Sequence, residues 1–134
     1  MKKVALCLFM LLSLAAASKF EEGLEAYQAG DYQKASKLYE QACDSKNAKS
    51  CFFLGDMYYY AQGVDQDSQK AFKYYKKACD GENAQGCFYL GALYEDGKVV
   101  EKELYTAKEL YKKACDLGYN NGCYVYRHLN LLGY

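Results

Sequence analysis

Six regularly spaced cysteines are the residues best suited to chemistry in this chain. The members of a pair are eight residues apart, and successive pairs are 36 residues apart. The pairs are Cys43/Cys51, Cys79/Cys87 and Cys115/Cys123. A zinc site or a redox pair would use C-x-x-C spacing or several histidines, and the only histidine is His128. We therefore predict structural disulfides. Pairing within each pair is favoured, because all three pairs have the same sequence surroundings.

The remaining side chains predict no assembled catalytic centre. A lone histidine near the end of a chain is more often a surface residue than a member of a triad, although a Ser-His-Asp triad using His128 stays open. Cysteines that are all oxidised cannot act as nucleophiles. The catalytic residues are therefore unknown at this stage, and we predict no metal site and no cofactor.

The first seventeen residues resemble an export signal. Lys2 and Lys3 precede an apolar run from Val4 to Ala17, and Ala15–Ala17 offers an A-x-A cleavage site before Ser18. This run is shorter than the roughly 20 residues that a membrane-spanning helix needs. We expect residues 1–17 to be a signal peptide that is removed together with Cys7. The protein would then be exported, either periplasmic or secreted, with no membrane span.

Charge excludes one class of partner. The chain has 17 basic and 17 acidic residues, and the two signs are interspersed. Without a basic stripe there is no electrostatic footprint for nucleic acid. We expect no nucleic-acid binding, and we expect a monomer.

The cysteine spacing also constrains the elements that carry it. Residues eight apart on one helix are separated by roughly 12 Å along its axis, too far for a disulfide. The chain must therefore reverse between the two cysteines, and each disulfide joins two antiparallel helices. Apolar periodicity predicts seven helices. They lie near residues 20–29, 32–44, 50–61, 67–80, 86–96, 103–116 and 122–132.

The repeat of 36 residues predicts an all-α solenoid, in which each unit buries its apolar face only against its neighbours. The repeat domain would cover residues 18–134, with approximate units 20–49, 50–85 and 86–121 and a terminal helix at 122–132. Tyr39, Tyr75 and Tyr111 recur at one position and are expected in the core. Gly55 and Gly91 recur where helices should approach closely, whereas the next copy has Arg127.

Motifs around the cysteines resemble a known family. Leu54-Gly55-x-x-Tyr58 is followed by Gly63-Val64, and Leu90-Gly91-x-x-Tyr94 by Glu95-Asp96-Gly97. This pattern resembles the Sel1-like repeat, a relative of the tetratricopeptide repeat (TPR). With the paired cysteines and the signal peptide, the chain resembles the secreted bacterial cysteine-rich Sel1-like proteins, the Helicobacter cysteine-rich protein (Hcp) family. The resemblance implies an αα-hairpin superhelix, a Sel1-like/TPR-like solenoid with disulfide-stapled repeats and a concave groove.

The same resemblance implies two different functions. Members of the family are described as penicillin-binding proteins or β-lactamases, and also as secreted factors that meet host cells. The serine enzymes of the first class use S-x-x-K and K-T-G motifs, and neither occurs after the signal peptide. We therefore favour a scaffold that binds a peptide, a protein or a cell-envelope ligand. A weak β-lactamase, with a β-lactam or a peptidoglycan fragment as ligand, is the alternative, and a structural spacer is a third reading.

One helix face could supply the binding groove. In such superhelices the first helix of each pair lines the concave surface, and aromatic residues recur there opposite the Leu54 face. The groove candidates are Phe52, Asp56, Tyr59, Phe88, Glu95, Tyr124 and His128. Phe52, Phe88 and Tyr124 would form a ladder of rings if exposed, or would pack against the next repeat. Asp56, Glu95 and Asp96 would favour a positively charged partner.

Overall fold

A computed structural model describes residues 2–134, which form seven α-helices and no strand. The helices are α1 (Lys2–Gln28), α2 (Tyr32–Asp44), α3 (Ala48–Tyr59), α4 (Ser68–Asp80), α5 (Ala84–Asp96), α6 (Leu104–Asp116) and α7 (Asn120–Leu131). Each helix packs against the next one in sequence, and α3 also contacts α5. The predicted αα-hairpin solenoid is confirmed. The contact between α3 and α5 indicates that the odd-numbered helices lie on the inner side of the curve.

The helix ends follow the sequence repeat. Four helices begin with an acidic or amide side chain that accepts a hydrogen bond from a backbone N–H in the first turn. These residues are Asp31, Asn47, Asp67 and Asn83. Three even-numbered helices are followed by a residue with positive φ, at Lys46, Glu82 and Gly118. This left-handed residue ends the helix and turns the chain back towards the next one.

The disulfides lie at these reversals. Each one joins the last turn of an even-numbered helix to the first turn of the following helix. The Cα–Cα distances are 4.8 Å for Cys43–Cys51, 4.4 Å for Cys79–Cys87 and 4.5 Å for Cys115–Cys123. The cysteines of the first two disulfides are at most 3% exposed. Cys115 and Cys123, near the C-terminal end, are only half-buried.

A repeated contact between glycine and tyrosine holds each hairpin together. Tyr39, Tyr75 and Tyr111 are at most 2% exposed, as predicted for the core. Each ring lies against a glycine of the preceding helix, and a Cβ at Gly55 would lie 2.7 Å from the Tyr75 ring. Glycine lets the two helices approach closely here, because a larger residue would displace the Tyr75 ring or the helix that carries it. At the equivalent position of α7, Arg127 is exposed.

The first helix is longer than predicted. It begins at Lys2 rather than near residue 20, because the apolar run ahead of the repeats is also helical. Its side chains up to Ala15 are exposed, and burial begins at Ala16 and Phe20. This helix is long and apolar enough to cross a membrane, a property that signal sequences share. Met1, the first residue of the predicted signal peptide, lies outside the described residues.

Candidate functional site

Phe52 does not line an open groove. Its side chain is 4% exposed. The ring centroid lies 6.1 Å from that of Tyr75 on α4 and 5.7 Å from that of Tyr89 on α5. Phe52 therefore fills the wedge between three helices. For Phe52 we considered an exposed ladder of rings and packing against the next repeat. The structure shows the packing, because α3 contacts α5 directly.

The other two members of the ladder differ from each other. Phe88 is half-buried, with its ring centroid 5.2 Å from that of Tyr111 and 5.1 Å from that of Tyr119. Tyr124 is 71% exposed, and within residues 2–134 no further helix packs over it. His128 is also exposed on α7. Burial of this repeat position thus depends on whether another hairpin follows.

Two of the predicted groove acids bind core tyrosines. The Tyr75 hydroxyl donates a hydrogen bond to Asp56 Oδ1 at 2.6 Å, and the Tyr111 hydroxyl donates one to Glu95 Oε2 at 2.5 Å. Burial raises the pKa of Asp56, and the hydrogen bond from Tyr75 opposes that rise only in part. Burial and the same hydrogen bonds raise the pKa of both tyrosines, so each hydroxyl stays a donor at neutral pH. The two acids are half-buried on α3 and α5, and they bond to tyrosines on the following even-numbered helices, α4 and α6.

A cavity of about 260 Å³ lies between the C-terminal halves of α3 and α5. It is lined by Tyr59, Tyr60, Tyr75, Tyr89, Ala92, Leu93 and Asp96. Tyr59 and Tyr60 meet edge to face with ring centroids 5.0 Å apart, and the Tyr60 side chain is 59% exposed. Burial raises the pKa of Tyr89, and the charge of nearby Asp56 contributes to that rise. We call these residues, together with Asp56, the tyrosine cavity.

The tyrosine cavity contains only some of the predicted groove residues. Tyr59 lines it, and Asp56 is hydrogen-bonded to Tyr75 in its wall. Phe88, Glu95, Tyr124 and His128 do not line it. Our prediction missed Tyr60 and Tyr89. The repeat could have indicated Tyr60, because Tyr60 and Asp96 are 36 residues apart and both line the cavity.

A larger cavity, of about 330 Å³, surrounds the Cys43–Cys51 disulfide. It lies at the loops that join even-numbered to odd-numbered helices. Its charged lining consists of Asp44, Lys46, Lys77 and Asp80. The two signs balance and no aromatic side chain is present in this lining, so it offers less for recognition than the tyrosine cavity.

The hydroxyl groups of the two buried serines make hydrogen bonds to residues three positions earlier in the chain. The Ser36 hydroxyl donates to the backbone oxygen of Gln33, and the Ser50 hydroxyl donates to Asn47 Oδ1, both at 2.8 Å. Within residues 2–134, no serine hydroxyl is hydrogen-bonded to a lysine or to His128. The same residues contain no group of three His, Cys, Asp or Glu side chains arranged to hold a metal ion.

The boundaries between the matched family repeats coincide with those between the αα-hairpins. The Sel1 repeat matches residues 14–47, 48–83 and 84–119, which together make up most of the chain. The chain belongs to the Sel1 repeat family. Each matched Sel1 repeat contains one αα-hairpin, so Cys43–Cys51 and Cys79–Cys87 each link one Sel1 repeat to the next.

Relatives with Sel1 repeats include cysteine-rich proteins of Helicobacter pylori. The "Putative beta-lactamase HcpC" of that organism is 46% identical over 44 residues, which are 33% of this chain and 15% of HcpC. The crystal structure of a Sel1 repeat protein from Oxalobacter formigenes aligns with a TM-score of 0.80 and 26% identity, over 85% of this chain and 47% of that one. Helicobacter pylori cysteine rich protein B aligns with a TM-score of 0.68 and 28% identity, over 84% and 96%.

The resemblance to the Helicobacter cysteine-rich proteins is therefore confirmed as homology. The matched segment is a small part of HcpC, so the likeness concerns the repeat unit and its disulfides. Stacked repeats form an extended concave surface, which here is the side of the odd-numbered helices. That surface includes the tyrosine cavity.

Proposed function

We propose that this protein is an exported scaffold that binds a peptide or protein segment along the inner face of α3 and α5. One observation carries the proposal. Tyr59, Tyr60 and Tyr89 remain partly exposed around a cavity, although the repeat buries tyrosines almost completely at its core positions. Tyrosine supplies large contact area and a polar end to an interface. A rigid solenoid presents such a surface without a large ordering cost.

Export is supported by two independent features. The disulfides need an oxidising compartment to form and persist. The exposed apolar half of α1 precedes an A-x-A site, which fits removal by a signal peptidase. We expect mass spectrometry of the protein recovered from the cell envelope or the medium to give a chain that begins at Ser18.

A random peptide library displayed on phage tests the binding function. We expect the oxidised protein to select peptides, and the Ala92→Leu variant to bind them about tenfold more weakly, because the larger side chain fills the cavity. Tyr124→Ala is the control, since Tyr124 is exposed outside the cavity and should leave binding unchanged. Equal binding of the selected peptides by wild type and Ala92→Leu would exclude this surface.

Hydrolysis of β-lactams is the alternative, and it depends on the name that HcpC carries. The geometry supports it less, since the buried serine hydroxyls are bonded to their own turns. A chromogenic β-lactam distinguishes the two functions. Turnover that copurifies with the oxidised protein and disappears in Ala92→Leu would favour the enzyme.

A further inference from the structure

The tyrosine cavity has the features of a cation site, and we propose that it binds the ammonium group of a lysine side chain presented by the bound peptide. This inference rests on the proposed function and names the chemistry of its ligand. It follows from three properties of the cavity: aromatic rings without a cation over them, acidic groups beside the rings, and a size that suits one side chain.

Elsewhere in the protein, lysine side chains lie over some of the aromatic rings. Lys70 Nζ lies 5.0 Å from the centre of the Tyr58 ring, and Lys49 Nζ lies 5.0 Å from the centre of the Phe20 ring. Lysines also lie over the rings of Tyr74 and Tyr126. The ring quadrupole attracts the ammonium group in each case.

The rings of the tyrosine cavity lack this cover. Among residues 2–134, no lysine or arginine lies over Tyr59, Tyr60 or Tyr89. Tyr59 and Tyr60 form an edge-to-face pair in the cavity lining, and Tyr89, on α5, is part of the same lining. A lysine from a partner would complete the arrangement that the chain's own lysines make elsewhere.

Acidic groups add a charge that selects a cation. Asp96 lines the cavity, and Asp56 accepts one hydrogen bond, from Tyr75, in its wall. A half-buried carboxylate with a single donor is incompletely compensated for its lost hydration. An ammonium group in the cavity would supply both the opposite charge and further donors.

Size favours a single side chain over a larger ligand. At about 260 Å³ the cavity is below the roughly 300–1,000 Å³ of pockets that enclose drug-sized molecules. Alternate residues of an extended peptide point to one side, so one lysine could enter while the backbone follows the inner helices.

One lysine of the chain competes for the site. Lys98 Nζ lies 3.1 Å from Asp96 Oδ1, but the Lys98 side chain is 81% exposed. Exposed ion pairs of this kind are weak and easily exchanged. Removing Lys98 should therefore strengthen binding of an external lysine rather than weaken it.

Two short peptides test the inference directly. Acetyl-Gly-Lys-Gly-amide is titrated into the ¹⁵N-labelled oxidised protein, and acetyl-Gly-norleucine-Gly-amide, with an uncharged side chain, is the matched control. We expect saturable shifts of the amides of residues 56–60 and 89–96 with the lysine peptide. Binding of the norleucine peptide should be about tenfold weaker, because the ammonium group supplies the attraction.

Variants assign the attraction to named groups. Asp56→Asn keeps an oxygen for the Tyr75 hydroxyl but removes the charge, and should weaken the lysine peptide about tenfold. Tyr60→Ala should weaken it about fivefold. Lys98→Ala should tighten binding about two- to threefold. Circular dichroism melts of each variant check that the fold is retained.

The outcomes separate this inference from the proposed function. Equal affinity for the lysine and norleucine peptides, or no saturable shift with either, would overturn lysine recognition. So would unchanged binding of the lysine peptide in Asp56→Asn. Library peptides that lack lysine but lose affinity in Ala92→Leu would support the peptide-binding function while rejecting the ammonium site.

Discussion

At the scale of residues, the three core tyrosines differ in how their hydroxyls are satisfied. Tyr75 and Tyr111 donate to carboxylates. The buried Tyr39 hydroxyl has no hydrogen-bond partner within residues 2–134, and burial raises its pKa to about 12. The same side chain at the same repeat position therefore has a different energetic role in the first hairpin.

This difference gives a matched pair of substitutions. Tyr75→Phe removes the hydroxyl that donates to half-buried Asp56 and should cost about 1–3 kcal/mol of stability. Tyr39→Phe removes an unpaired buried hydroxyl and should be neutral or stabilising. Chemical denaturation of both variants measures the difference. Equal losses would show that packing of the ring edge, rather than hydrogen bonding, determines the cost.

Asp56 should make stability depend on pH. Burial raises its folded-state pKa above the ordinary value of 3.8, so the folded protein holds the proton more tightly than the unfolded chain does. Stability therefore falls as pH rises through the raised pKa and is not recovered at neutral pH. Asp56→Asn removes this penalty.

We expect the melting temperature of Asp56→Asn to exceed that of wild type at pH 7, with the difference shrinking below about pH 4. Asp96→Asn is the control, because its exposed carboxylate should have little effect on stability. A constant difference at all pH values would contradict the burial argument. A residue that lowers stability but attracts a cation fits a binding role.

The sequence predicted the residue roles in part. Tyr39, Tyr75 and Tyr111 were assigned to the core because they recur with the repeat, and they are buried. Phe52 recurs equally, but periodicity within one helix cannot tell which face the next odd-numbered helix covers. For the same reason Tyr89, whose repeat equivalent is Phe53, was not recognised as a cavity residue.

At the scale of elements, the glycine of each odd-numbered helix sets the distance to the next helix. Gly55→Ala gains about 1 kcal/mol of helix propensity. The added Cβ would lie 2.7 Å from the Tyr75 ring, and overpacking of this kind costs about 1–3 kcal/mol. We expect a net loss and a melting temperature lower by a few degrees.

Gly91→Ala is the matched control for this prediction. Its Cβ would lie 3.2 Å from the Ala107 backbone oxygen and the Tyr111 ring, a milder contact than the 2.7 Å at Gly55, so smaller shifts are needed. The gain in helix propensity and the cost of crowding should then nearly cancel, so the stability of Gly91→Ala should stay close to that of wild type. A Gly55→Ala protein as stable as Gly91→Ala would show that the Tyr75 ring can move aside.

The elements were predictable to within a few residues, except at the N-terminus. The cysteine spacing required chain reversals, and the turns lie at those positions. The start of α1 was missed because the apolar segment was interpreted by its targeting pattern, which carries no information on conformation.

At the scale of the whole molecule, we expect the three disulfides to supply much of the stability. Each closes a loop of about nine residues, for which chain entropy gives about 2.5 kcal/mol. Three together give about 7–8 kcal/mol, comparable with the 5–15 kcal/mol of a typical domain. Full reduction should therefore lower the melting temperature sharply, and calorimetry measures this. An unchanged melt would mean that helix packing alone stabilises the solenoid.

Reduction should also be ordered along the solenoid. Cys115 and Cys123 are half-buried, whereas the other disulfide cysteines are at most 3% exposed. Limiting reductant followed by alkylation and peptide mapping should label Cys115 and Cys123 first. Simultaneous labelling of all three pairs would indicate that the hairpins open together.

Arg127 has a consequence for how such arrays grow. Where α3 and α5 have a glycine that receives a tyrosine ring, α7 has a long charged side chain whose Nε bonds to Cys123 O. A duplicated hairpin inserted after α7 would find its docking surface blocked. Lengthening the array by gene duplication would therefore need a second change, Arg127→Gly, before the new unit could fold onto the old ones.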